Sequence, residues 1–232
     1  MILAAGRGER MRPLSDLLPK PLLSVGGKSL LHWQIQRLVA SGVQEIIINH
    51  AWLGQSIEQA LGTGENFSCQ IRYSPEAPAL ETAGGIANAL HHFDDAPFIV
   101  VSGDIYTEFD YSTLMKAVQN IRKGQIDAHL VLVNNPIFHP KGDMGLQNHL
   151  ICPNAVPRFT YGNIGVFHPF LFKSLPKKEK RPLFPWLYRF AEAGRISGEL
   201  FNGIWENIGT PEQLKTLDKN LSKQLSTYSE QS

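Results

Sequence analysis

Residues 1–23 read MILAAGRGERMRPLSDLLPKPLL: a short apolar strand, a glycine-rich turn threaded with arginines, and a lysine held between prolines. Gly6 and Gly8 carry no β-carbon, so the backbone can turn sharply there and bring its N–H groups close to a polyphosphate. Arg7, Arg10 and Arg12 place planar guanidinium forks in or just after the turn, and Lys20 adds a compact point charge. The stretch predicts a phosphate-handling loop. It is not a dinucleotide fingerprint, because Met11 stands where the third glycine belongs and no convincing ribose-binding carboxylate follows about twenty residues on. Gly27-Lys28-Ser29 resembles the end of a P-loop, yet that motif needs a glycine where this chain has Leu22. It reads as a loop and helix start.

Outward from this loop the chain alternates. Leu31, Ile35, Leu38 and Val39 recur at helical spacing behind Ser29 as N-cap, and Gly42 stops that helix. Glu45 to Asn49 is apolar on both faces, as a central parallel strand would be. A helix over Ser56 to Leu61, a strand at Ile71 to Tyr73, a helix over Ala83 to Leu90 and a strand from Phe98 to Ser102 follow. This order predicts an α/β protein with an open, mostly parallel twisted sheet flanked by helices, Rossmann-like in its layering. Such sheets bind ligands beyond the carboxyl ends of their strands, where the loop after Ala5, the segment after Tyr73 and Asp104 all fall.

Beyond Asp104, a helix carrying Leu114, Val118 and Ile121 leads to a strand from His129 to Val133. Shorter pieces broken by Pro136, Pro140, Pro153 and Pro157 then suggest a small strand-rich lid. Arg158 to Phe167 alternates like a strand, Leu183 to Ala193 reads as helix, and Gly203 to Ile208 as a short strand. A last helix starts at Thr210-Pro211, and Gln224 to Ser232 is polar and expected to fray. The expected organisation is one domain over 1–222, with 1–110 and 111–222 as its two halves, and a polar tail from 223.

With 232 residues the chain can bury one large core. A formal net charge of +1 gives no global field for nucleic acid or a membrane surface. Cys69 and Cys152 lie far apart with no metal-ligand spacing, which fits reduced thiols. Neither a membrane span nor a signal peptide is legible, so a cytoplasmic protein is expected, as monomer or weak homodimer. The first strand is short, and the natural start is expected either at Met1 or a few residues upstream.

Chemistry follows from the cations. In nucleotidyl transfer a sugar phosphate oxygen is already an anion, so alignment and charge neutralisation matter more than a general base. No G-x-S-x-G elbow is present, which disfavours a hydrolase. Asp104, at the end of the apolar strand FIVVSGD, is a carboxylate held rigidly at the phosphate edge and suits Mg²⁺.

LAAGRGERM with PKPL downstream resembles the signature of sugar-1-phosphate nucleotidylyltransferases, over roughly Met1 to Leu221. That resemblance implies that UTP binds along Leu3, Ala4, Ala5, Gly6, Arg7 and Gly8, with Arg10 on the β- and γ-phosphates and Lys20 on the α-phosphate and incoming sugar 1-phosphate. PEAPALETAGG is similar to the family's base-and-ribose loop, placing Glu76 at the pyrimidine edge and Glu81, Thr82, Ala83 and Gly84 at the tight turn. SGD and WENIGT imply Mg²⁺ on Asp104 and Asn207, the latter where many members carry aspartate. Gly142, Asp143 and Asn163 lie where relatives contact the hexose, and Lys141 and Arg158 are candidate anchors for acidic groups. INHAWLG, YSPE, LETAGG and WENIGT look most like the branch that uridylylates N-acetylmuramate 1-phosphate in peptidoglycan recycling. Another sugar 1-phosphate, or a silent nucleotide-sugar sensor, are the alternatives.

Overall fold

Strand β1, Ile2–Leu3, is two residues long, yet it is an interior strand of the sheet. Its neighbours are β2, Glu45–His50, and, after β3 at Gln70–Pro75, the strand β4 at Phe98–Ser102. Ile2 lies opposite Ile48 on one side and Val101 on the other, both pairings parallel. Ile2, Ile48 and Val101 are fully buried because helices cover both faces, which is why these strands read as apolar runs and not as alternating ones. This is a computed structural model of the chain; it describes residues 1–229, with side chains through 223.

The second half adds β5 (Ala128–Val133), β6 (Met144–Gln147), β7 (Leu150–Cys152), β8 (Arg158–Phe167) and β9 (Ile196–Phe201). Among the described residues they complete a nine-stranded sheet in the order β3-β2-β1-β4-β8-β5-β9-β7-β6, and β8 also reaches β6. The class is α/β, but the sheet is mixed. It is parallel from β3 to β4 and between β5 and β9; β8 runs antiparallel between β4 and β5. Ile164 of β8 faces Val101 and Val131 at once. A bulge between Tyr161 and Ile164 interrupts the register, and Asn163 within it takes a positive φ of 55°, so the strand bends and re-aims its side chains. Asn148 and His149, with φ of 49° and 63°, form the two-residue turn that joins β6 to β7, the geometry that tight hairpins favour.

Helix Leu30–Ala40 starts as the sequence predicts: Ser29 accepts a hydrogen bond from the His32 N–H at 3.1 Å. The last helix, Pro211–Ser229, opens on a reciprocal cap in which Gln213 Oε1 accepts from the Thr210 N–H at 3.0 Å and Thr210 Oγ1 accepts from the Gln213 N–H at 3.4 Å. Its Leu217 and Leu221 pack with Met11, Leu30, Tyr106 and Ile208 in a cluster separate from the sheet's main core. Met11 is 0% exposed. Burying such a side chain is worth about 1.5–3 kcal/mol, so the residue that broke the dinucleotide pattern anchors the end of the glycine loop.

Three boundaries depart from the sequence reading. Helix in the 183–193 stretch is confined to Tyr188–Glu192, since Pro185 has no N–H to donate and biases its predecessor away from helix. The strand expected over 203–208 is Trp205–Asn207 only. The last helix continues through Ser229, past the expected fraying point at Gln224; residues 230–232 lie outside the described residues. No helix among the described residues is long and apolar enough to cross a membrane.

Candidate active site

A cavity of about 270 Å³ opens at the carboxyl ends of β1, β2 and β4. Leu3, Ala4, Ala5, Gly6 and Gly8 form one wall, Glu81 and Thr82 another, and Lys20, Asn49 and Asp104 its polar floor. Gly8 is required twice over. Its φ is +67°, and a β-carbon there would lie 2.9 Å from Lys20 Cβ. Lys20 is thereby held buried, 7% exposed, with Nζ donating to Asp104 Oδ2 at 2.6 Å. The Gly8 carbonyl accepts from Ser15 Oγ at 2.8 Å and from the Met11 N–H at 2.8 Å, which fixes the turn.

The arginines diverge. Arg7 stacks on Trp52, 4.3 Å from the ring centroid, outside the cavity wall. Arg10 lies beside Gly209, where a β-carbon would be 3.1 Å from Nη2, and Arg12 pairs with Asp16 at 3.1 Å. Only Lys20 among the four cations faces the cavity.

Glu76 is not on the cavity wall either. It is 7% exposed, and both carboxylate oxygens are engaged internally: Oε1 accepts from Asn49 Nδ2 at 2.7 Å and Oε2 from the Leu80 N–H at 2.7 Å. Burial pushes its carboxyl up from the ordinary value, and the hydrogen bonds from Asn49 and Leu80 partly oppose that. Asn49 Oδ1 in turn accepts from the Ala4 N–H at 3.0 Å. One buried network therefore ties β1, β2 and the loop after β3 together, with Asn49 as the member that faces the cavity. Sequence reasoning missed Asn49; its signal was an amide in the run IIINH, where strand positions otherwise favour apolar residues.

Ala83 and Gly84, expected at the base, do not line this cavity. Ala83 is 0% exposed within the core behind the helix. Gly84 is roofed by residues 179–181, so close that a β-carbon would sit 2.3 Å from the Glu179 carbonyl oxygen. Its N–H donates to the Arg181 carbonyl at 3.0 Å, while the Arg181 N–H donates to the Leu80 carbonyl at 2.9 Å. This strap leaves Glu81 and Thr82 as the residues of that turn on the cavity.

A second cavity, of about 240 Å³, is walled by Phe138, Tyr161, Phe184 and Trp205 and carries Asp143, Asn163 and Asn207. Gly142 is buried in the preceding turn and does not line it. Asp143 is fixed on both oxygens: Oδ2 accepts from the Tyr161 N–H at 2.8 Å, and Oδ1 lies 3.0 Å from His139 Nε2. Arg158 donates to the carbonyls of Pro153 and Asp143, so it staples the chain and is no free anchor. Lys141 is exposed and off the wall.

Asp104 leads directly into an antiparallel pair, Ile105–Thr107 with Trp205–Asn207. The Ile208 N–H donates to the Asp104 carbonyl at 3.1 Å, and Trp205 Nε1 donates to the Gly162 carbonyl at 2.8 Å. Asp104 lines the first cavity and Asn207 the second. Glu206 lines a different cavity, with Gln213 and Phe201, as alternation along a strand demands. No three His, Cys, Asp or Glu side chains gather among the described residues. The donors at this junction are one carboxylate and one amide oxygen, hard ligands that fit Mg²⁺ provided that substrate phosphates complete its shell.

Comparison with known proteins bears on this geometry. A family model described as nucleotidyl transferase matches residues 1–136. The chain is 44% identical over 219 residues to the N-acetylmuramate alpha-1-phosphate uridylyltransferase of Neisseria meningitidis, covering 93% of this chain and 94% of that protein. It is 29% identical to the protein of the same name from Caulobacter vibrioides, covering 96% of each. The crystal structure of HddC from Yersinia pseudotuberculosis superposes with a TM-score of 0.76 at 22% identity, over 94% of this chain and 97% of that one.

Proposed function

Because the chain belongs to the nucleotidyl transferase family, we propose that it transfers the uridylyl group of UTP to N-acetylmuramate 1-phosphate, giving UDP-N-acetylmuramate and pyrophosphate. The observation that carries this reading is the ordered likeness along nearly the whole chain to the Neisseria uridylyltransferase. The geometry supports it with two cavities, one lined by the Gly6–Gly8 loop, Lys20 and Asp104, the other walled by aromatic rings and carrying Asn207. Two free, half-buried thiols, Cys69 and Cys152, suit a reducing, cytoplasmic setting.

The sugar phosphate oxygen attacks the α-phosphorus in line, and pyrophosphate leaves with the electron pair of the broken P–O bond. No side chain need remove a proton. The Gly6–Gly8 backbone cradles the phosphates, Lys20 neutralises charge that builds on the α-phosphate, and Arg10, beside Gly209 and off the cavity wall, would reach only outer phosphates that extend past that wall. Asp104 and Asn207 would hold Mg²⁺, which when bound adds charge neutralisation along the phosphates. Glu81 and Thr82 abut the nucleoside, and Asn49, aligned by Glu76, keeps the β1 and β2 strand ends in register beneath it.

Pyrophosphate release from UTP across N-acetylmuramate, N-acetylglucosamine and hexose 1-phosphates, with CTP, GTP and dTTP as controls, tests the reading. The fastest turnover is expected with UTP and N-acetylmuramate 1-phosphate. Release with no pair at all would mean a binding protein and not an enzyme.

Asn207 gives a second test. As a neutral ligand it leaves the site with one protein charge, so Asn207→Asp should stay active and reach half-maximal rate at lower Mg²⁺. Asn207→Ala should lose about 10²-fold in turnover. Glu206→Gln should be mild, because Glu206 lines another cavity. Mg²⁺ titrations of the three variants decide it; a crippled Glu206→Gln beside a healthy Asn207→Ala would make the glutamate the ligand.

A further inference from the structure

His139 and Asp143 share a wall of the second cavity, and they face each other. We infer that His139 is the residue by which the protein selects an acidic amino sugar, its imidazolium bridging Asp143 on one side and the sugar's lactyl carboxylate on the other. The inference rests on reading this cavity as the sugar site.

Asp143 is already committed. One oxygen takes the Tyr161 N–H at 2.8 Å and the other lies 3.0 Å from His139 Nε2, so both oxygens are already engaged once. Asp143 acts on the ring. A carboxylate at Nε2 makes that nitrogen the donor and leaves Nδ1 as the ring's remaining polar atom, to which no hydrogen bond is made among the described residues. When doubly protonated, the ring donates from both nitrogens, and an anion that meets Nδ1 completes an alternating row of carboxylate, imidazolium and carboxylate. Without His139 the same wall would hold only Asp143 and would repel an acid.

The turn that carries the ring is also pinned. The His139 N–H donates to the Pro136 carbonyl at 2.9 Å, and the Gly142 N–H donates to the His139 carbonyl at 3.3 Å. Asn135 clamps the same turn to β8: its Nδ2 donates to the carbonyls of Pro140 at 3.2 Å and Arg158 at 3.0 Å, and its Oδ1 accepts from Thr160 Oγ1 at 2.9 Å. The His139 side chain is 40% exposed, open enough to meet a ligand. The other cations of this region do not compete, since Arg158 is spent on backbone carbonyls and Lys141 lies off the wall. Phe138, Phe184 and Trp205 supply apolar surface for the pyranose, so the neutral part of the sugar binds without His139 and the acid is read by it alone.

The test compares kcat/KM for N-acetylmuramate 1-phosphate and N-acetylglucosamine 1-phosphate, both with UTP, in the wild type and in His139→Gln, His139→Lys and Asp143→Asn. Loss of one charge-assisted hydrogen bond corresponds to about 10- to 100-fold, so His139→Gln should lower the acidic-to-neutral ratio by that factor, chiefly through KM for the acidic sugar. His139→Lys, which restores a cation beside Asp143, should recover most of the ratio. Asp143→Asn should lower it through the loosened ring. Equal losses on both sugars, or an unchanged ratio in His139→Gln, overturns the inference while leaving the uridylyl reading intact. A wild type that turns over the neutral sugar and rejects the acidic one overturns both, and is seen before any variant is made.

Discussion

Replacing Lys20 with methionine should lower turnover by about 10²-fold or more, the scale of losing one preorganised electrostatic stabiliser, while the fold survives. The choice of methionine follows from the packing. The Lys20 stem lies under Gly8, close enough that even a β-carbon on that glycine would touch it, and truncation to alanine would loosen the loop as well as remove the charge. Methionine keeps the stem and deletes only the ammonium. What then changes is the partner of Asp104, whose Oδ2 receives the Lys20 Nζ hydrogen bond at 2.6 Å, and the positive charge on the cavity floor. KM for UTP should rise less than kcat falls, because the charge counts most where negative charge accumulates in the transition state. Steady-state kinetics with a circular dichroism melt decides it: near-normal kcat with an unchanged melt would take Lys20 out of the chemistry.

The second large effect is on stability and belongs to Glu76. Glu76→Ala strips the acceptor from two buried donors, Asn49 Nδ2 and the Leu80 N–H. Leaving a buried donor unsatisfied costs about 1–3 kcal/mol, so the variant should be about 2–4 kcal/mol less stable, a drop in Tm of roughly 5–15 °C for a chain of this size. The effect has a pH signature. Burial raises the folded-state pKa of Glu76 above the ordinary carboxyl value, so as pH rises from there through the folded value the unfolded chain gives up its proton first. That part of the stability is present at lower pH and lost as pH rises, and the variant should lack this slope. KM for UTP should increase as Asn49 loosens, with the ratio of UTP to CTP turnover unchanged. An intact melt with a lost UTP preference would instead put the carboxylate against the base.

These two residues mark what the sequence disclosed and what it could not. The loop around Gly6 and Gly8, Lys20 and Asp104 was legible because each lies within or beside a strand whose apolar run announces it, and an α/β sheet brings strand ends to one edge. The opposite facing of Glu206 and Asn207 followed from strand alternation alone. Glu76 and Gly84 lie off the cavity wall for reasons that the sequence does not display: Gly84 is covered by a strap from residues 179–181 that no local pattern reveals. His139 belongs to none of the motifs in the sequence, and only the fold places it against Asp143. The direction of β8 was equally hidden, since a single alternating strand carries no record of which neighbours it will join.

That antiparallel strand also bears on how the chain can be made or cut. Until residues 158–167 are synthesised, β4 has no neighbour on its far side, and its row of free amide and carbonyl groups beside the apolar side chains of Phe98, Val100 and Val101 is a template for intermolecular pairing. A fragment ending anywhere from 103 to 157 would emerge from the ribosome with that edge bare. The nucleotide cavity, though built almost wholly from residues before 105, is therefore not a portable module: split reporters and expression truncations should keep β8 covalently or noncovalently supplied, with the exposed Asn148–His149 turn a better place for an insertion than the apparent boundary after 110.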